Sequence, residues 1–360
     1  MSIEKDLLSW FLLNKRDLPW RKKRTPYKIW VSEIMLQQTQ VATVIPYYER
    51  FLNAFPNLES LANADINKLM KIWEGLGYYT RVKNMQEAAK TILQKHNGVF
   101  PSKKTELLQL KGIGDYTAAI IASIAFKEHC AAVDGNVLRV ISRLNAINAP
   151  IQLNTTKQTI RIVAQELLSL EHPGEFNEAM MEVGALICKP KNPTCDICPI
   201  SLHCQAYKKG LEHKLPVKLK RAEIPHYHIA AGVIYKDDFV LIALRPANGL
   251  LGNLWEFPGG KQQQGESLED CCKREIFEET GLHVNVLEKL ISVKHAYTHF
   301  KITLHAYRCN YISGSPEPRA SQALKWVRIE DLTSYAFPKA NKKIIEKLQL
   351  AQFPTTLTLF

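Results

Sequence analysis

Leu110-Lys111-Gly112-Ile113-Gly114-Asp115-Tyr116-Thr117-Ala118 is the stretch on which the fold turns. It joins two apolar helical runs. Gly112 and Gly114 permit a tight turn and let backbone N–H groups face outward where the second helix starts, a geometry that suits a phosphate. For a bare Gly-x-Gly a plain inter-helix turn is the stronger reading, so the neighbouring segments decide. Downstream, Val133-Asp134-Gly135-Asn136-Val137 puts an aspartate ahead of an apolar helix, where an ordinary N-cap is the competing explanation. Upstream, Trp30-Val31-Ser32-Glu33-Ile34-Met35-Leu36-Gln37-Gln38-Thr39-Gln40 puts Glu33 among apolar helix residues. A solvated helix glutamate is the default. A carboxyl beside Trp30, Ile34 and Met35 instead has a raised pKa, which a general acid needs. Between these segments, Gly75-Leu76-Gly77-Tyr78-Tyr79-Thr80-Arg81 joins paired aromatics to a glycine turn and a cation. The tyrosines suit either core packing or a wedge stacked into DNA when a base leaves the helix.

Outward from this centre, residues 1–207 are expected to be all-α. Apolar positions recur at helical spacing in Ile29–Tyr48, Leu107–Phe126, Val137–Leu144, Ile160–Leu170 and Phe176–Ile187. Residues 208–225 are Lys-rich without an apolar stripe, and are expected to be a basic linker. From His226 the pattern changes to short β-rich runs, HIAAGVIY, DDFVLIALR and FKITLHAYRC, around a helical segment Leu268–Thr280 and a last helix near Lys342–Leu350. The expectation is multidomain: an all-α domain over 1–207, then an α+β domain over 226–350. The 360 residues suffice for two domains, and 46% hydrophobic residues suffice for real cores. The formal net charge of +12 suits a polyanionic partner. No apolar run approaches the ~20 residues of a membrane span, and the N-terminus has no signal-peptide pattern. The expectation is a cytoplasmic monomer with no membrane partner.

Four of the eight cysteines crowd together as Cys188-x6-Cys195-x2-Cys198-x5-Cys204. Four thiolates over 188–204 can wrap one compact soft-metal site. Structural zinc usually takes two close pairs on a longer arm, and only one pair is close here. An iron–sulfur cluster is favoured by the spacing, with zinc as the alternative. Lys189, Lys191 and His203 lie inside the cluster loop and can present positive charge.

These segments together resemble the MutY family of adenine DNA glycosylases, within the helix-hairpin-helix superfamily that includes endonuclease III. SEIMLQQTQV, GLGYYTR, GIGDYTA, VDGNV, FNEAMMEVGA and the cysteine spacing occur in the family's order, from Leu18-Pro19-Trp20-Arg21 to Cys204. The resemblance implies a monofunctional base-excision repair enzyme that removes adenine opposite 8-oxoguanine or guanine in double-stranded DNA. It implies Glu33 as the general acid that protonates adenine at N7. It implies Asp134 as the group that stabilises the oxocarbenium-like sugar, with Tyr116 against that sugar. Relatives with lyase activity carry Lys where this chain has Tyr116, and tyrosine cannot form a Schiff base. Trp20, Arg21, Leu36 and Glu178 are expected to line the adenine pocket. Gln38 and Tyr78 are expected beside the lesion, and Gly112 and Gly114 on the DNA backbone. Cys188, Cys195, Cys198 and Cys204 are expected to hold a 4Fe-4S cluster.

In the second half, Gly260, Glu266, Arg274, Glu275, Ile276, Glu278, Glu279, Gly281 and Leu282 complete the pattern G-x5-E-x7-R-E-U-x-E-E-x-G-U, in which U is a bulky aliphatic residue. This pattern matches the Nudix box. Glu275, Glu278 and Glu279 share a helix face and can gather Mg²⁺, with Arg274 orienting them. A charged surface helix explains the acids but not the glycines at fixed offsets. The region resembles MutT-type Nudix hydrolases and the MutT-like C-terminal domain of MutY. Tyr297-Thr298-His299 stands at the family's lesion-recognition loop, which gives Thr298 the hydroxyl for 8-oxoguanine. Phe337-Pro338-Lys339-Ala340-Asn341 resembles the MutT segment whose asparagine contacts the oxidised purine. Three functions stay open: a repair enzyme whose second domain only binds the lesion; the same enzyme with a second, Mg²⁺-dependent activity on 8-oxo-dGTP or another nucleoside diphosphate derivative; and a noncatalytic DNA-binding protein, against which Glu33 and Asp134 argue.

Overall fold

A computed structural model of the chain describes residues 2–219 and 223–352. The backbone divides into two units: Met1–Asn63 with Lys83–Arg221, and Ala64–Val82 with Ala222–Phe360. The first is helical. Thr25 caps the helix Pro26–Leu36 by accepting from the Lys28 N–H at 3.2 Å, with Pro26 at the first helical position. Pro173 opens the helix Pro173–Leu186 in the same way. Asp134 caps the helix Gly135–Leu144. One core gathers Leu7 and Phe11 with Val140, Ile141, Phe176, Met180 and Val183, so the two ends of the helical sequence close on each other. Gly184 lets two helices meet closely, because a Cβ there would stand 2.6 Å from Asn136 Cβ.

The hairpin is tighter than the sequence suggests. Its first arm is a single turn of helix, Lys104–Leu107, and its second is Asp115–Phe126. Gly112 takes a φ of +80°, and a Cβ there would meet Asn84 Cβ at 2.7 Å, so both backbone and space demand glycine. The continuous apolar run expected over Ile29–Tyr48 is broken. The helix Pro26–Leu36 ends, Gln38 adopts a φ of +58°, and a second helix begins at Val41.

The second unit carries a seven-stranded mixed sheet: β1 His226–Lys236, β2 Phe239–Leu244, β3 Trp255–Glu256, β4 Gly259–Lys261, β5 His283–Ala296, β6 Lys301–Ser313 and β7 Ala323–Arg328. The order is β3-β2-β1-β6-β5, with β4 on β1 and β7 on β2. The β1–β6 pair is parallel and the others are antiparallel. The helix Leu268–Thr280 covers one face of the sheet over Ala230, Ile234, Tyr307 and Cys309. The helix Lys339–Gln352 covers the other face with Ile344 and Leu348. The box helix spans the residues expected for it, because Ser267 caps it at Asp270 N (3.0 Å) and Gly281 ends it.

Two boundaries differ from the sequence expectation. Ala64–Val82, expected within the helical domain 1–207, groups with the second unit. The expected linker 208–225 is packed over its first part. Arg143 Nε donates to Leu215 O at 2.8 Å, Ile151 N to Val217 O at 3.1 Å, and Leu215 is buried. Lysines along this stretch hide that pattern from a hydropathy reading. Residues 220–222 of that stretch lie outside the described residues. Among the described residues no helix is long and apolar enough to cross a membrane.

Candidate active site

Glu33 lies on the inner face of the helix Pro26–Leu36 and is 8% exposed. Tyr116, in the first turn after the hairpin, donates its phenol to Glu33 Oε2 at 2.7 Å. Tyr116 Oη also stands 3.2 Å from Met181 Sδ. Burial pushes Glu33 up to about 7, against the Tyr116 hydrogen bond and with help from the Glu178 and Asp134 carboxyls. Burial and the neighbouring carboxyls hold the Tyr116 phenol well above its usual range.

Asp134 is both a helix cap and a site residue. Its Oδ1 accepts from Asn136 N at 2.9 Å and Val137 N at 2.8 Å. Its Oδ2 accepts from Asn136 Nδ2 at 2.8 Å. Burial raises its pKa, and the three hydrogen bonds pull the other way. Asn136 is fixed in turn by the Arg139 guanidinium, which donates to Asn136 Oδ1 (2.9 Å), Gly184 O (2.7 Å) and Cys188 O (2.7 Å).

Glu33, Tyr116 and Asp134 line one cavity of about 560 Å³, the size of a small-molecule site. Trp20, Arg21, Leu36, Gln38 and Glu178 line it too, so the structure gathers eight of the expected residues. Its floor is an ion-pair network that sequence reasoning missed. Arg21 Nε donates to Glu178 Oε1 at 3.1 Å, Arg24 Nη1 lies 2.9 Å from Glu178 Oε2, and Arg16 and Arg21 both grip Glu182 at 2.8–3.1 Å through its Oε2. Burial alone would raise Glu182; the hydrogen bonds from Arg16 and Arg21 outweigh it and hold the group at about 2. The available signal was the spacing of Glu178 and Glu182, four apart on one helix face.

The four clustered cysteines face one cavity with Val140, Leu144, Val183, Ile187 and Arg143. Arg143 is 2% exposed, and its Nη1 lies 3.2 Å from Cys188 Sγ and donates to Lys189 O at 2.7 Å. Successive tight turns, Cys198 N to Cys195 O and Cys204 N to Ser201 O, wind the loop around that space. Four soft thiols around one cavity, with a cationic donor on one of them, suit a soft-metal group.

In the second unit, Tyr78 and Thr298 meet: Tyr78 Oη and Thr298 Oγ1 are 2.9 Å apart. The box acids form a network around Arg274, which reaches Glu266 (2.7 Å), Glu275 (2.8 Å) and Glu278 (3.1 Å). Glu279 accepts from Gly259 N at 3.0 Å, and burial pushes it up to about 7. Asn341 Oδ1 accepts from Phe257 N at 3.1 Å. Among the described residues no three His, Cys, Asp or Glu side chains are gathered as a single-ion site.

The site is a helical hairpin whose second arm carries a phenol onto a buried carboxyl, with a second carboxyl capping the next helix, and the family match of this region makes the chain a base-excision DNA repair protein. Residues 31–167 match the HhH-GPD superfamily of base excision DNA repair proteins, and residues 230–347 match the NUDIX domain. A solved thermostable thymine-DNA glycosylase is 29% identical with a TM-score of 0.53, covering 57% of this chain and 94% of that one. The adenine DNA glycosylase of Rattus norvegicus is 32% identical, covering 95% of this chain and 77% of that protein. That of Homo sapiens is 33% identical, covering 95% and 73%. This chain belongs to the adenine DNA glycosylase family.

Proposed function

We propose that this chain hydrolyses the N-glycosidic bond of adenine mispaired with 8-oxoguanine or guanine in double-stranded DNA, leaving the strand intact. The observation that carries the proposal is the Tyr116–Glu33 hydrogen bond facing Asp134 in one cavity. Adenine is a poor leaving group, so it must be protonated as it departs. A carboxyl with its pKa near 7 keeps a large protonated share at neutral pH, and Glu33 delivers that proton to N7. Positive charge then develops on the sugar. Asp134, its carboxylate fixed by three N–H donors, stabilises that charge until water adds. Tyr116 holds Glu33 and borders the sugar. It offers no amine, so no Schiff base forms and β-elimination is not driven.

Glu178, oriented by Arg21 and Arg24, accepts a hydrogen bond from the amine edge of the base, while Trp20 and Leu36 pack its faces. Gly112 and Gly114 turn the hairpin's backbone N–H groups to phosphate. Cys188, Cys195, Cys198 and Cys204 are the residues that would hold a 4Fe-4S cluster, which would staple the loop 188–204 to the helix Gly135–Leu144. Iron content and a visible absorbance band on the purified protein test that assignment. Gln38 and Tyr78 border the lesion, and Thr298 contacts 8-oxoguanine, which makes the second unit a lesion reader. In its box, Arg274 bonds Glu266, Glu275 and Glu278, and Glu279 accepts from Gly259 N.

The test is product analysis on an 8-oxoguanine:A duplex. Free adenine and an intact abasic strand that breaks only after alkali are expected. Strand scission without alkali would contradict the monofunctional assignment, and no free adenine would contradict the substrate.

A further inference from the structure

The helix Ile66–Trp73 and the loop after it belong to the second unit, although the chain enters and leaves this segment from the helical one. Lys71, Glu74 and Tyr78 contribute hydrogen bonds to the attachment. Lys71 Nζ donates to Tyr335 O at 2.9 Å. Glu74 Oε1 accepts from Phe337 N at 2.9 Å. Tyr78 Oη meets Thr298 Oγ1 at 2.9 Å.

Glu74 is the centre of this attachment. It is 9% exposed, and its Oε2 accepts from Lys71 Nζ at 2.8 Å and from Lys342 Nζ at 3.1 Å. A buried carboxylate is costly unless its oxygens are satisfied, and here a backbone N–H and two ammonium groups satisfy them. The backbone it grips is itself fixed. Trp255 N donates to Ala336 O at 2.8 Å, and Phe337 stacks on Phe257 in the core. Only three residues separate Glu74 from Tyr78, and the intervening turn is hydrogen-bonded at both ends. Trp73 Nε1 donates to Gly77 O at 3.0 Å, Tyr79 Oη accepts from Gly75 N at 3.1 Å, and the Arg81 guanidinium lies over both Trp73 and Tyr78. Tyr78 itself holds a φ of +48°, a strained conformation for a bulky residue that persists only where its surroundings fix it.

We infer that Glu74 is a positioning residue that sets where Tyr78 meets Thr298, and that selectivity for an oxidised guanine opposite adenine depends on it. The inference rests on the proposal that Tyr78 and Thr298 face the lesion. Buried ion pairs are weak sources of net stability, and their best-attested use is to fix register. Glu74 has that role here: its charge locks one residue position of the segment onto Phe337, and the short turn carries that registration to Tyr78. Glu74 therefore acts through Tyr78 and Thr298 and does not itself take part in excision.

A double-mutant cycle on the full chain tests this. Single-turnover excision is measured on 8-oxoguanine:A and G:A duplexes for wild type, Glu74→Ala, Thr298→Ala and the double variant, and the ratio of the two rates is the selectivity. Glu74→Ala is expected to lower the ratio roughly 10-fold and to add nothing once Thr298 is alanine, because coupled residues are non-additive. Glu74→Gln, which keeps an acceptor for Phe337 N, is expected to recover part of the ratio. A ratio sensitive to Thr298 but not to Glu74 overturns the inference alone. Equal slowing on both duplexes makes Glu74 merely structural and also overturns it. A ratio insensitive to Thr298 overturns the lesion-reading assignment on which the inference rests.

Discussion

Tyr116 donates its phenolic hydrogen to Glu33 at 2.7 Å, so the tyrosine of the hairpin is the residue that holds the carboxyl proposed as the general acid. The bond favours the ionised form of Glu33 and partly offsets the burial that raises its pKa. An acid catalyst works protonated. The excision rate should therefore be high below pH 7 and fall as pH rises through about 7, near the value set for Glu33 in the free protein. Tyr116→Phe removes a bond to the ionised form and should move that midpoint upward. A single-turnover pH profile of both proteins checks the direction, and a downward shift would contradict the arrangement.

Asp134→Asn keeps an oxygen for the Asn136 and Val137 N–H groups but loses the negative charge. The helix Gly135–Leu144 should stay capped, and the melting temperature should fall only through loss of the Asn136 Nδ2 bond to Oδ2. Excision should slow by about 10²-fold or more, the usual scale for losing a charge-stabilising group. A melting curve beside the single-turnover rate separates the two effects.

Gly184→Ala puts a Cβ 2.6 Å from Asn136 Cβ, where both are held by helices. The cost should be about 1–3 kcal/mol of stability, the range for overpacking a tight contact. Asn136 carries the hydrogen bond to Asp134 Oδ2, so excision should fall as well. Denaturant unfolding and excision at a temperature where the variant is folded measure the two losses.

Glu182 is held at about 2 by Arg16 and Arg21, below the ordinary carboxylate value. A depressed carboxylate contributes stability that is present above its unfolded pKa and is lost as pH falls through the folded value. Wild type should therefore lose stability between about pH 4.5 and about pH 2 in part through this group. Glu182→Gln leaves two arginines without their buried partner and should cost about 3 kcal/mol at neutral pH, with a weaker acid dependence. Unfolding free energies at pH 7 and pH 3 check both.

The residues gathered in the cavity were legible in the sequence because their motifs are local. The hairpin glycines, the capping aspartate, Glu33 on an apolar helix face and the box helix Leu268–Thr280 each declare themselves within about a dozen residues. The break at Gln38 was hidden, since Gln37-Gln38-Thr39-Gln40 contains neither Gly nor Pro. β5 was hidden as well. Its alternation is interrupted by register shifts between Val286 and Lys289 and between Lys289 and Ile291, and much of it is exposed. Pairings across long sequence gaps were out of reach altogether. Arg16 and Arg24 gave no sign of Glu182 and Glu178, and Glu74 meets Phe337 across 263 residues. The same gap explains why the contacts of Ala64–Val82 with the second unit were out of reach, although the segment lies within the helical family match.

The central claim is that Glu33 protonates the departing adenine. Single-turnover excision from an 8-oxoguanine:A duplex, compared between wild type and Glu33→Gln at equal duplex binding, tests it most directly. Loss of the proton donor should slow excision by about 10²–10⁴-fold or more, the scale of general acid catalysis. Equal rates for the two proteins would contradict the account.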